Sequence, residues 1–311
     1  MTPHQLPTSA KPYSRLVAWG PMIAVALLLT IMWGMLLGFA IVQEQRMVEG
    51  AQKQLRLINN AAAQQTRDLL RSLDGRIEVV QQWLALAPQP DGRLDDLLQS
   101  FARHSQGLVE VTLVNQVGTA MPTAGTPAWA RTMPAVTLPE TAGSLHVGAP
   151  LRRTAGEAWR WPLSRRLPAP VGDIVGVVAW VDLAKMSAIH ERLREKPAGG
   201  ISVTTSSGIV VLRTPYADNV IARNVSSLRP RALPASASQG AFEHDGSLTG
   251  GKLRLGTYER LDQFPVTVLV SQERDELLGA FQARRDAGIG VMVVLTLCGI
   301  VFSWLLARSQ R

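Results

Sequence analysis

Residues 157–183 read EAWRWPLSRRLPAPVGDIVGVVAWVDL, and the reading of this stretch decides the fold. Residues 157–167 and 173–182 are rich in aromatic, β-branched and apolar side chains, and the Pro and Gly residues between them punctuate the run. They predict two long antiparallel strands, followed by a helix over 183–195. Side chains on a strand alternate between faces. Trp159, Trp161, Leu163 and Arg165 therefore share one face, and Arg160, Ser164 and Arg166 share the other. Trp180 and Asp182 share a face of the neighbouring strand.

Working outward, the same design occurs twice. Before the quoted stretch come a short helix over 94–104, a strand over 108–114, and a Gln116-Val117-Gly118 turn into 119–121. A Pro-interrupted irregular segment, 122–143, and a strand at 144–148 follow. After it, Lys196-Pro-Ala-Gly-Gly200 marks a boundary. The pattern then restarts with strands at 201–205 and 209–213 around Ser206-Ser-Gly208, an irregular stretch over 214–240, and strands at 252–260 and 265–271. A charged helix, 272–286, closes the second copy. Two hairpin-and-long-strand units with helices leading in and out predict an α+β class.

Further toward the N-terminus, Val48, Ala51, Leu55, Ile58, Ala62, Gln65 and Leu69 step by three and four, and Leu73, Ile77, Val80 and Leu84 continue after one extra step of four. This heptad-like seam with a stutter predicts one long helix over 43–86, ended by Pro88 and Pro90. It serves either as a spine packed on the chain's own domain or as a homodimer seam.

At both ends lie windows without charge, Val17 to Val42 and Ala287 to Ala307, of 26 and 21 residues. At about 1.5 Å per residue each spans a hydrocarbon core of roughly 30 Å. A freely soluble protein and a many-span transporter are both excluded. The net charge is +8, all 24 acidic residues fall in 43–286, and the tails carry Lys11, Arg15, Arg308 and Arg311 with no acid. Short basic flanks stay cytoplasmic. The reading is a bacterial inner-membrane protein with both termini cytoplasmic and the bulk of the chain periplasmic. The sole cysteine, Cys298, lies inside the second window, so the exported part has no disulfide. Its Arg residues are scattered, and nucleic acid is not an expected partner.

The motifs Trp161-Pro-Leu-Ser-Arg-Arg-Leu167 and Gly176-Val-Val-Ala-Trp-Val-Asp-Leu183, the hairpin 201–211 with Ser207-Gly208, and Gln263-Phe-Pro-Val-Thr-Val268 together resemble the double Cache family. These PAS-like (PDC) periplasmic sensor regions occur in bacterial diguanylate cyclases, histidine kinases and chemoreceptors. The resemblance covers 17–307. It implies a membrane-distal unit 88–195 and a membrane-proximal unit 197–272; joined with the uncharged windows and basic flanks, the expected order is cytoplasmic tail 1–16, transmembrane helix 17–42, long periplasmic helix 43–87, the two units, exit helix 273–286, transmembrane helix 287–307 and tail 308–311. It also implies small-molecule binding in the distal unit, often of amino acids or carboxylates, without a cofactor. The chain departs from the amino-acid-binding branch in having Tyr only at 13, 216 and 258, none of them in the distal unit. It also ends four residues after the second window, so a separate cyclase, kinase or chemotaxis partner, or a truncated receptor, is expected.

Catalytic and metal-binding constellations are not found. The five His residues stand apart, and no Gly-x-Ser-x-Gly elbow or phosphate loop occurs. The expectation is therefore no enzyme, no metal and no cofactor. The site expected for a small anionic ligand joins Arg160, Trp161, Ser164 and Arg166 with Trp180, Asp182 and Trp129, because an Arg fork holds a carboxylate or phosphate and an indole covers an apolar tail. Two other readings stay open. The Trp residues can fill the core while the Arg residues solvate a strand, which would leave a periplasmic scaffold without a ligand. Arg213 and Tyr216 are weaker candidates in the second unit.

Overall fold

The computed structural model describes residues 13–86, 92–194, 199–226, 237–246 and 251–309. The elements run α1 (Tyr13–Leu86), α2 (Gly92–His104), β1 (Val109–Val114), a 3-10 turn (Ala130–Thr132), β2 (Leu145–Val147), β3 (Arg160–Val171), β4 (Ile174–Asp182) and α3 (Leu183–Glu191). They continue with β5 (Gly200–Thr205), β6 (Val210–Thr214), β7 (Gln239–His244), β8 (Arg254–Leu261), β9 (Val266–Glu273) and α4 (Arg274–Ser309). The class is α+β, with a long N-terminal helix, two antiparallel sheets and a C-terminal apolar helix. Pro88, Pro90 and the 196–198 boundary lie outside the described residues.

The chain divides into two units, which are described separately: the end segments up to Gly50 and from Asp275, and the body Ala51–Arg274. In the end unit, α1 and α4 each hold a stretch long and apolar enough to cross a membrane. Ile23, Leu27, Phe39, Val291, Leu297 and Phe302 face outward, as side chains do in a hydrocarbon solvent. The two helices touch through a small residue and a polar pair. Gly299 lies against Leu29 and Val25, and the Trp33 indole N–H donates to Thr296 Oγ1 at 3.1 Å.

In the body, the sheet orders are β1-β4-β3-β2 and β6-β5-β9-β8-β7. The β7 strand, QGAFEH, starts at the end of the stretch read as irregular, 214–240, and runs on through residues for which no strand was expected. Its Gly, Ala and Glu give it little strand propensity of its own, and it forms by pairing with β8. The β3 strand runs on through Pro168 and Pro170 to Val171, because β4 pairs with it again at Ile174. The short strand expected at 119–121 is reduced to a single bridge, Val114 with Ala120.

One face of each sheet rests on α1, and the buried stripe of that helix is Leu55, Asn59, Ala62, Thr66, Leu70, Leu73, Ile77, Val80 and Leu84. The stripe steps by three and four, with the extra four at 62–66–70. Gln65 is exposed, and Ile58 and Leu69 are only half-buried. The expected seam is thus off by one residue in its middle, because polar Asn59 and Thr66 take buried places. Thr66 is satisfied by its own helix, donating to Ala62 O at 2.8 Å. Asn59, with its amide oriented to suit its neighbours, donates to Val268 O and accepts from Glu259 N. Arg67 pairs with Glu259 at 2.7 Å. Arg165 of β3 pairs with Asp74, and Gln81 donates to Arg166 O at 3.2 Å. From Leu55 to Leu84 the seam is therefore a spine for the chain's own sheets.

Helix α3 joins the two sheets. Asp182 caps its N-terminus, accepting from the Ala184 and Lys185 amides at 3.0 and 3.1 Å. Its inner side meets β6, where the Ser187 and Thr214 hydroxyls lie 3.0 Å apart in a buried contact.

Candidate ligand site

The register of the first sheet sets Arg160 opposite Asp182, and Glu110 opposite Trp180. Opposed residues of an antiparallel pair share a face. The face away from α1 therefore carries Glu110, Thr112, Arg160, Ser164, Arg166, Trp180 and Asp182. The irregular segment roofs it: Met133, Val136, Trp129 and Leu138 pack on Val114, Val178 and Trp180. The roof is pinned at Gly118, whose φ is +88°, and whose missing Cβ would stand 2.1 Å from the Val136 carbonyl oxygen. Only glycine takes that turn and that approach together.

At the edge of the roof four polar groups converge. Arg160 Nη1 lies 3.5 Å from Glu110 Oε1 and 3.5 Å from Asp182 Oδ2. Its guanidinium stacks 4.3 Å above the Trp129 ring. The Trp129 indole N–H donates to Glu110 Oε2 at 3.2 Å. Trp129 also meets Trp180 edge-on at 5.5 Å, and the Trp180 N–H donates to Thr112 Oγ1 at 2.9 Å. Burial pushes the Glu110 carboxyl above the usual carboxylate range, and Asp182 adds to the rise. Arg160, the Trp129 N–H and Lys185 pull the other way. Asp182 works in two directions, holding Arg160 with one oxygen and capping α3 with the other. β1 is an edge strand, and Glu110 and Val111 line an open cleft of about 330 Å³ between α2 and the turn 124–127. That volume is within the range of small-ligand sites.

Arg160, Trp180, Asp182 and Trp129 are thus brought together. Trp161 is not. It sits fully buried on the opposite face, toward α1, and donates to Gly148 O at 3.0 Å. Ser164 and Arg166 share the face but are engaged by the roof: Ser164 donates to Thr137 O at 2.8 Å and Arg166 to Pro139 O at 2.9 Å. Glu110 was missed. The signal for it was a lone carboxylate inside the otherwise apolar or hydroxylic strand LVEVTLV. Arg160 and Arg166, read as a fork for an anion, already have partners, two carboxylates for one and a carbonyl for the other. Among the described residues no cluster of His, Cys, Asp and Glu is arranged to hold a metal ion.

No protein-family model and no curated protein matches this sequence. Solved structures do match the chain. The extracellular domain of the histidine kinase candidate rpHK1S-Z16 is 20% identical with a TM-score of 0.59, over 73% of this chain and 95% of that one. The ligand-binding domain of the Pseudomonas aeruginosa chemoreceptor PctB, in complex with L-Arg, is 19% identical with a TM-score of 0.54, over 73% and 97%. The ligand-binding domain of the Pseudomonas fluorescens chemoreceptor CtaA, in complex with L-isoleucine, is 16% identical with a TM-score of 0.50, over 76% and 96%. The fold is that of double Cache sensor domains. These neighbours are extracellular or ligand-binding domains of receptors, and in this chain the residues of that fold fall between two apolar helical stretches in sequence.

Proposed function

We propose that this chain is a membrane-anchored sensor whose Cache body is periplasmic and whose first sheet binds a small ligand carrying a cationic amine. The observation that carries the ligand class is the convergence of Glu110 and Asp182 on the single guanidinium of Arg160, beside Trp129 and an open cleft. Two carboxylates outnumber the one guanidinium in contact, and burial disfavours the Glu110 charge unless a further cation arrives. An ammonium supplies that cation, and the indole of Trp129 offers it a ring face. The neighbours PctB and CtaA, bound to L-Arg and L-isoleucine, support a ligand of the amino acid type. Displacing Asp182 from Arg160 would tilt α3, which is docked on β6 through Ser187 and Thr214. That movement reaches the second sheet, whose last strand β9 leads into α4. The ligand supplies the energy only as far as it prefers one arrangement over the other.

The test is thermal unfolding of the full chain in detergent against a panel of L-amino acids and primary amines. A saturable rise in Tm, lost in Glu110→Gln, supports the proposal. A second reading is favoured by the filling of the face at Trp180 by Met133 and Val136. On that reading the fold is a ligand-free scaffold, and no member of the panel shifts Tm.

A further inference from the structure

The second sheet also has a face turned away from α1, and its charge pattern differs. Register sets Arg213 opposite Ser202, Ser202 opposite Leu269, and Leu269 opposite Tyr258. The same face carries Gly200, Ser271, Gly256, Arg254 and His244. Two guanidinium groups lean toward its centre from opposite sides. Arg213, on β6, lies across Gly200: a Cβ there would come within 2.4 Å of Arg213 Nη2. Arg254, on β8, is almost wholly buried and reaches Ser271, with Nε 3.3 Å from Oγ and Nη2 3.4 Å from the carbonyl oxygen. Gly200 and Ser271 are directly opposed in the β5–β9 pair, so both guanidinium groups lie over one spot of the sheet.

The ion pairs are unequally distributed. Arg254 is paired with Glu273 at 3.3 Å, and Glu273 also takes Lys252 at 3.0 Å. Arg194 is paired with Glu191. Arg213 has Ser202 Oγ at 2.7 Å and, among the described residues, no carboxylate. Its electrostatic neighbours are Arg254 and Arg194, and these, after burial itself, push its pKa down to about 10. Burial, and after it Arg254 and Arg213, push the His244 pKa down, against Asp245. Its Nδ1 accepts from the Gly246 amide at 3.0 Å, which leaves the proton of the neutral ring on Nε2 as a further donor. A partly buried guanidinium with like charges for neighbours is unfavourable unless an anion compensates it, and an Arg fork matches an oxyanion in geometry as well as charge.

We propose that this face of the second sheet is an oxyanion site, in which Arg213 and Arg254 clasp a carboxylate or phosphate group above Gly200 and Ser271. It is distinct from the amine site of the first sheet and does not depend on it. The site is formed by four adjacent strands, β6, β5, β9 and β8, with Ser202 and Ser271 holding the two guanidinium groups in position. Gly200 leaves room for one of them.

The experiment uses the full chain in detergent, in Tris-chloride at fixed ionic strength, with inorganic phosphate and succinate as probes. Each is expected to raise Tm saturably above an equivalent of chloride. Arg213→Gln is expected to weaken that binding about tenfold or more, because a charge-assisted contact is lost, while Glu110→Gln leaves it unchanged. The ligand-free Arg213→Gln protein is expected to melt at or above the parent, since an uncompensated cation has been removed. A structural role would instead lower it. Gly200→Ala serves as the second variant, displacing the guanidinium without removing it, and is also expected to weaken binding. The proposal is overturned by no saturable shift with either probe, or by equal binding by Arg213→Gln. Loss of the shift in Glu110→Gln would place the anion at the first sheet and overturn it as well.

Discussion

The two sheets are built alike and charged differently. Each lays one face on α1 and turns the other away. On the first outward face two carboxylates, Glu110 and Asp182, surround one guanidinium, beside a Trp pair. On the second, two guanidinium groups converge and only Arg254 has a carboxylate partner among the described residues. The lesson is that the backbone plan sets where a ligand can sit and leaves the sign of its charge to a few strand positions. A repeated fold therefore does not imply a repeated ligand.

The largest expected effect tests whether the first face is a packed layer. Trp180→Ala empties a fully buried indole site and is expected to cost about 3–5 kcal/mol, read from equilibrium unfolding of the full chain in detergent. A cost below about 1 kcal/mol would mean that the roof is not seated on Trp180 as described.

The next effect concerns α3, which joins the faces. Burial lowers the His190 pKa from 6.5 to about 4. In the folded chain the ring stays neutral down to that pH, whereas in the unfolded chain it gains a proton near 6.5. The unfolded state thus binds more protons in this window. Stability is expected to fall as pH drops from 6.5 to 4 and to level off below, by an amount on the order of 3 kcal/mol. His190→Leu should flatten this part of the stability profile. An unchanged slope in the variant would assign the pH dependence to another group.

The third pair of variants compares the faces directly. Arg160→Met leaves two carboxylates close together and is expected to destabilise by about 2 kcal/mol, discounted because the groups keep some solvent. Arg213→Met removes a cation without a carboxylate partner and is expected to be neutral or stabilising. If both variants lose similar stability, the contrast between the faces fails. The smallest expected effect is at Trp129. Trp129→Leu keeps apolar cover but removes the ring beneath Arg160, for about 0.5–1 kcal/mol. A larger loss would show that the indole N–H to Glu110 matters more than the stacking.

Much of the fold was legible because it rests on local periodicity. The paired strands 157–167 and 173–182, the restart after residue 200 and the two apolar windows are patterns of neighbouring residues. The departures share a cause. β7 owes its strand to β8, and the α1 stripe admits Asn59 and Thr66 because partners outside its apolar pattern satisfy them. Five of the seven expected site residues lie on one face: alternation along β3 grouped Arg160, Ser164 and Arg166 and separated Trp161, and the pairing with β4 adds Trp180 and Asp182. Alternation alone could not place Trp129 over Arg160, nor show that Arg166 is held by the Pro139 carbonyl.

The sequence by itself determined the class of the protein, its two repeated sheet units, its two apolar helices and the Arg- and Trp-rich strand. Each follows from residue type and spacing within a single element, where side-chain direction is set by helix or strand geometry. The tertiary structure decided which charges meet. Glu110 reaches Arg160 across 50 residues, and Arg254 joins Arg213 across two intervening strands. Whether an arginine is neutralised or left to attract an anion is decided by register and by which face is covered, since Coulomb interactions depend on distance in space and not on separation along the chain.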